Sequence, residues 1–169
     1  MTVSVDIDQF TLVLQSTVNV TVEDWFDTAV EISREFLKKS HLDFFYPIIN
    51  FTKDGLPAGY THGFIVENVP FYLSVAFHEY YKNMGVIVKF SAFSWSDYRK
   101  CYEEQFNEPI QLNTFLNMII STKYHARLSR VDLCCDFINE GISIPKLKRS
   151  IEQGRTEIRY GKRITRKSY

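Results

Sequence analysis

The chain has 169 residues, 45% of them hydrophobic, with 14 Phe and 10 Tyr, which excludes intrinsic disorder and suits one folded domain over 1–169. No run of 18 apolar residues occurs, and MTVSVDIDQF has neither the basic start nor the apolar stretch of a secretion signal, so a cytoplasmic protein without a membrane segment is expected. The net charge of zero conceals a division: residues 1–145 hold 11 Lys/Arg against 18 Asp/Glu (−7), and residues 146–169 hold 9 against 2 (+7).

The opening VSVDIDQFTLVLQ reads as a central strand, with Phe10, Leu12 and Leu14 alternating against Gln9, Thr11 and Val13. TVEDWFDTAVEISREFLKKS follows as an amphipathic helix, with Thr21 as N-cap, acids in its first turn and lysines in its last. FFYPIINF (44–51) is predicted to be a strand leading into the turn KDGLPAG. YTHGFIVEN, PFYLSVAF, the turn YYKNMG and GVIVKFSAF then form an antiparallel meander. Two helices come next, SWSDYRKCYEEQF capped by Ser94 or Ser96, and IQLNTFLNMIIS with Leu112, Phe115, Leu116, Ile119 and Ile120 on one side. After the strand SRVDLCCDF come a short helix, IPKLKRSIEQ, ended by Gly154, and a final basic strand. This order predicts an α+β fold, a mostly antiparallel β-sheet with helices packed on one face.

Within SRVDLCCDF, alternation places Arg130, Asp132, Cys134 and Asp136 on one face and Val131, Leu133, Cys135 and Phe137 on the other. The apolar set is expected to be buried under the helices and the carboxylates to lie on the open face. Asp132 and Asp136 would stand about 13 to 14 Å apart on a straight strand, so a shared metal ion would need help from neighbouring strands. Asp6 and Asp8 on the first strand could supply it, and hard carboxylate ligands suit Mg²⁺ or Mn²⁺. The competing readings are an Arg130–Asp132 surface pair and ordinary exposed aspartates.

Other chemistry is poorly represented. The sequence has no GxxxxGK[ST], GxGxxG or HExxH, and its four histidines (His41, His62, His78, His125) lie far apart, which argues against zinc. His78 and His125 read as structural. The cysteines, two adjacent (Cys134, Cys135) and one remote (Cys101), do not make a disulfide framework. The aromatic groups FHEYY and FSAFSW read as core more readily than as base-stacking platforms. In the basic segment 146–169, Lys146, Lys148, Arg149, Arg155, Arg159, Lys162, Arg163, Arg166 and Lys167 are candidate contacts to nucleic-acid phosphates. The alternative is a solvated face paired with the acidic remainder.

RVDLCCDF resembles the Arg-x-Asp-x-x-x-Asp strand of the replication initiation factors of rolling-circle plasmids and the related relaxases of integrative elements. The likeness extends to the opening strand with Asp6 or Asp8, to MGVIVKFSAFSWSDYRKCYEE and to GISIPKLKRSIEQG, and so to most of the chain. It implies an open sheet face holding a divalent metal, a tyrosine that forms a covalent 5′-phosphotyrosine link with DNA, and binding to a replication or transfer origin. Carried over, Asp132 and Asp136 become the acidic active-site residues, with Arg130 near phosphate. In the family the tyrosine and a following strand come after the basic segment, whereas this sequence stops at RITRKSY. Tyr160 is then a displaced candidate nucleophile or an ordinary strand tyrosine.

Two functions follow. One is the N-terminal part of an initiator or relaxase from a mobile element, which binds DNA but lacks a complete covalent mechanism, because acids and a metal without a held nucleophile do not suffice. The other is a phage- or plasmid-encoded inhibitor derived from such an initiator, of the anti-CRISPR kind, which binds a host nuclease or nucleoprotein complex.

Overall fold

The computed structural model describes residues 2–138, 141, 143–156, 158–160 and 163–165, with side chains at all of these except 2, 158–160 and 163–165. The opening alternation becomes β1 (Thr2–Ser16), in which Phe10, Leu12 and Leu14 are almost wholly buried. The predicted amphipathic helix is α1 (Val22–Lys39), capped by the Thr21 side chain, which accepts from the Asp24 N–H; Trp25, Ala29, Ile32 and Phe36 form its buried stripe. Glu23 and Asp24 at its start and Lys38 and Lys39 at its end oppose the helix dipole.

The strand expected over 44–51 is divided. Leu42–Phe45 form a short helix, α2, and only Ile49–Thr52 form a strand, β2. His41 takes a left-handed φ of 56°, and its carbonyl accepts from the Phe44 and Phe45 N–H groups, which turns the chain into helix. Pro47 then disfavours helical backbone at Tyr46 and ends that turn. Packing reinforces the division: Phe45 lies edge-on to Tyr98, with ring centroids 5.6 Å apart, and the Tyr46 hydroxyl donates to Asp97 at 2.9 Å.

The meander is β3 (His62–Val66), β4 (Leu73–Phe77) and β5 (Val86–Phe90), with a 3-10 turn, Lys82–Met84, before β5. All pairings in this meander are antiparallel, and their register stacks like on like. Phe10 opposes Phe90, which opposes Leu73; Leu12 opposes Val88, which opposes Val75 and in turn Phe64. These rows make the apolar face of the sheet. Phe10 meets Trp95 and Phe115 on this face, and Phe26 meets Phe77.

Trp95 belongs to α3 (Ala92–Phe106), Phe115 to α4 (Leu112–Met118) and Phe26 to α1, so the three helices share one face, as expected. The cap of α3 is Ser91, not Ser94 or Ser96. Ser94 is fully buried in the first turn and its hydroxyl donates to the Ser91 carbonyl. The aromatic groups divide between core and surface. Phe77, Phe90 and Trp95 are core, but Tyr80 and Tyr81, on the turn before β5, and Phe93 are exposed.

The long strand β6 (Tyr124–Ile138), α5 (Ile144–Glu152) and two short strands, β7 (Ile158–Tyr160) and β8 (Arg163–Thr165), complete the order. The final basic strand is thus a β7–β8 antiparallel pair. The main sheet runs β2-β3-β4-β5-β1-β6, an α+β antiparallel architecture with β1 inside and β6 outermost. Residues Ile7–Cys134 form one compact unit, and Met1–Asp6 with Cys135–Tyr169 form a second; the basic segment lies in the second. Among the described residues no helix is long and apolar enough to cross a membrane.

Candidate nucleic-acid interface

Beside β1, β6 brings the first candidate group together. The Thr17 N–H donates to the Lys123 carbonyl, the Ser129 hydroxyl to the Thr11 carbonyl, and the Gln9 side-chain amide to Asp132 Oδ2 at 2.5 Å. These contacts step in opposite directions along the two strands, as in an antiparallel pair. Arg130 grips the same carboxylate twice, Nε to Oδ1 at 2.7 Å and Nη2 to Oδ2 at 2.5 Å. Hydrogen bonds from Arg130 and then from Gln9 hold the Asp132 carboxyl down to about 2. Asp132 is thus an ionised acceptor with both oxygens hydrogen-bonded, which leaves it poorly suited to take a proton.

The burial expected for the other face of β6 does not occur. Leu133 is 71% exposed, Phe137 54% and Val131 38%, and Cys135 is exposed too; Asp132 and Cys134 are the half-buried positions instead. Alternation divides a strand into two faces, but burial requires a layer above it. The helices pack on side chains of β1 and the meander, one or more strands inward from β6. Of the other acidic candidates, Asp8 and Asp136 are exposed and Asp6 is half-buried. Among the described residues, no three His, Cys, Asp or Glu side chains gather as a ligand set for an ion. The Mg²⁺ or Mn²⁺ ion suggested at Asp6, Asp8, Asp132 and Asp136 is an expectation of the sequence alone.

The second group lies in the other unit. Pro145 in the first turn starts α5, and Gly154, at φ 69°, turns the chain back after it. The Arg155 and Thr156 N–H groups then both donate to the Ser150 carbonyl, so Arg155 returns alongside the helix. Lys146 and Arg149, three residues apart, share a side of α5. With Arg155 they line a cleft of about 570 Å³ that also exposes Ser143, Ser150 and Thr156. The Ser150 and Thr156 hydroxyls are 2.7 Å apart, and Arg155 is held by the Gln153 side chain.

Three cations and three hydroxyls around one cleft, with no acidic residue among its described lining, make a surface suited to phosphate oxygens. Lys148 is exposed on α5 but does not line the cleft. Arg159 and Tyr160 fall in β7 and Arg163 in β8, where only the backbone is described. Lys162, Arg166 and Lys167 lie outside the described residues. Sequence reasoning missed Gln9 as the partner of Asp132, although its place beside β6 is a consequence of strand order. It also missed the hydroxyls of the cleft, which carry no sequence signal of their own.

No family model matches the chain, and no curated protein matches it in sequence. Among solved structures, the fold is similar to that of a rolling circle replication initiator protein from Geobacillus stearothermophilus, with a TM-score of 0.51 and 15% identity over 90% of this chain. The match covers 51% of that protein, so this chain spans about half its length. At that identity the likeness is one of fold, and it is with the same kind of protein that RVDLCCDF resembles.

Proposed function

We propose that the chain is a DNA-binding domain of the rolling-circle initiator type, from a mobile element, which holds DNA through its basic second unit without cutting it. The observation that carries this reading is the fold likeness over 90% of the chain to a replication initiator. The cleft of Lys146, Arg149 and Arg155 supplies the physical means. Cationic side chains that replace counterions on a phosphate backbone give sequence-independent affinity, which falls steeply with salt. The hydroxyl of Ser143, and one of the mutually hydrogen-bonded pair Ser150 and Thr156, add neutral donors to the same oxygens, the kind of interaction that fixes register on a backbone.

Fluorescence anisotropy with labelled single- and double-stranded oligonucleotides across a salt series tests the reading. Binding is expected to weaken linearly in log–log form. The triple substitution Lys146→Ala, Arg149→Ala, Arg155→Ala is expected to reduce the slope by about two to three, at roughly 0.7 to 0.9 for each phosphate that is no longer neutralised. Binding that is independent of salt, or a slope unchanged in the triple variant, would remove the cleft from the interface.

A further inference from the structure

The aromatic run FHEYY leaves the core after Phe77. Tyr80 is 62% exposed and Tyr81 61%, and each has His78 as its ring neighbour, at centroid distances of 6.1 and 4.2 Å. Residues 78–82 are nevertheless pinned one after another. The His78 carbonyl accepts from the indole N–H of buried Trp25 at 2.8 Å, the Glu79 N–H donates to the Thr61 hydroxyl at 3.0 Å, and the Tyr80 N–H donates to His78 Nδ1 at 3.1 Å. The Tyr81 carbonyl accepts from the Met84 N–H, and Lys82 Nζ donates to the Val20 carbonyl at 2.6 Å and to Asn19 Oδ1 at 3.3 Å. The backbone that carries the two exposed rings is therefore ordered before any partner arrives, which lowers the cost of binding one.

We propose that Tyr80 and Tyr81 are a stacking platform for unpaired bases of a single nucleic-acid strand, a binding site made by residues of the first unit alone. This rests on the DNA-binding reading and adds to it a preference for strand state. The two rings together offer roughly 200 to 300 Å², far less than the ~800 Å² that each partner gives to a stable protein interface. A base needs less, and stacking accepts any base because each has a π-face. Tyrosine supplies that contact at little entropic cost, having two side-chain torsions to fix. Lys82 follows directly in the chain. Among the described residues two of its three N–H groups are used, and the third is at hand for the phosphate next to a stacked base. In a duplex the base faces are covered by their neighbours and must first be unstacked, so the platform favours an unpaired strand.

Anisotropy with a labelled oligothymidylate about 12 nucleotides long, over a salt series, tests the platform. The double substitution Tyr80→Ala, Tyr81→Ala is expected to weaken binding about tenfold or more at every salt concentration. The log–log slope is expected to stay unchanged, since no phosphate contact is lost. Tyr80→Phe with Tyr81→Phe keeps both rings and is expected to bind within about twofold of the intact chain. Oligothymidylate annealed to oligoadenylate is expected to bind all three proteins alike. An unchanged urea midpoint checks that both variants fold. An intact chain that binds neither form of the strand overturns the proposal together with the DNA-binding reading. An alanine variant that binds the single strand as the intact chain does overturns the platform alone, as does an equal loss on the duplex or a loss that the phenylalanine variant shares. So does altered sedimentation of the alanine variant without DNA, which would assign the rings to a contact between copies of the chain.

Discussion

His62 is 4% exposed and sits among rings, stacked on Phe51 and Phe77 at centroid distances of 5.9 Å and edge-on to Phe26 at 5.1 Å. Its Nδ1 is 3.0 Å from the Thr61 hydroxyl. That hydroxyl already accepts from the Glu79 N–H, so its own proton is available to a neutral imidazole. Burial lowers the His62 pKa below 6.5; Lys53 and then His78 lower it further, and Glu79 opposes them. The unfolded chain therefore takes up a proton that the folded chain refuses. Stability contributed by neutral His62 is complete above about pH 6.5 and is lost as the pH falls through that value towards the lower folded one. Urea denaturation at about pH 7.5 and about pH 5.5 is expected to show weaker folding at the lower pH. His62→Phe, which keeps a ring in the stack and cannot titrate, is expected to reduce that difference; an unchanged difference would place the titration elsewhere.

At the scale of elements, β3 crosses β4 at a distance that only glycine permits. A Cβ built on Gly63 would lie 2.5 Å from the Val75 carbonyl oxygen and 2.7 Å from Ala76 Cα. Both are backbone atoms and cannot rotate away. Gly63→Ala is therefore expected to force the two strands apart and to cost about 1 to 3 kcal/mol, measured as a lower urea midpoint with an unchanged slope. A midpoint within error of the original would show that the sheet relaxes freely there. β1 and α1 were legible in the sequence because periods of two and 3.6, with a cap at Thr21, are local signals. The fate of Leu133 was not, since alternation shows that two faces differ but not that β6 would be outermost. Nor was α2, where His41 in a left-handed turn and Pro47 overrode the aromatic strand propensity of 44–46. The basic charge of the tail was legible as composition, but the convergence of Lys146, Arg149 and Arg155 depends on the backward turn at Gly154.

At the scale of the whole molecule, the proposed reading is binding without cleavage. The excess of basic residues lies in 146–169 and the excess of acids before it, so on the proposed reading the phosphate contacts gather in 146–169. Covalent nicking requires a nucleophile about 3 to 3.5 Å from a polarised phosphorus centre, with a group to accept its proton and charge to stabilise the leaving oxygen. Asp132 does not offer the raised pKa of a proton-accepting group, since Arg130 and Gln9 hold it ionised. The expected outcome with supercoiled plasmid and with labelled single strands, each incubated with Mn²⁺, is retarded but uncut DNA and no adduct that survives denaturation. Asp132→Asn is expected to leave that result unchanged and to bind Mn²⁺ no differently from the intact chain in calorimetry. A metal-dependent adduct that disappears in Tyr160→Phe would reverse the reading. Arg130 would then have to release Asp132 when DNA and metal arrive, and the pair would be a latch on the active site.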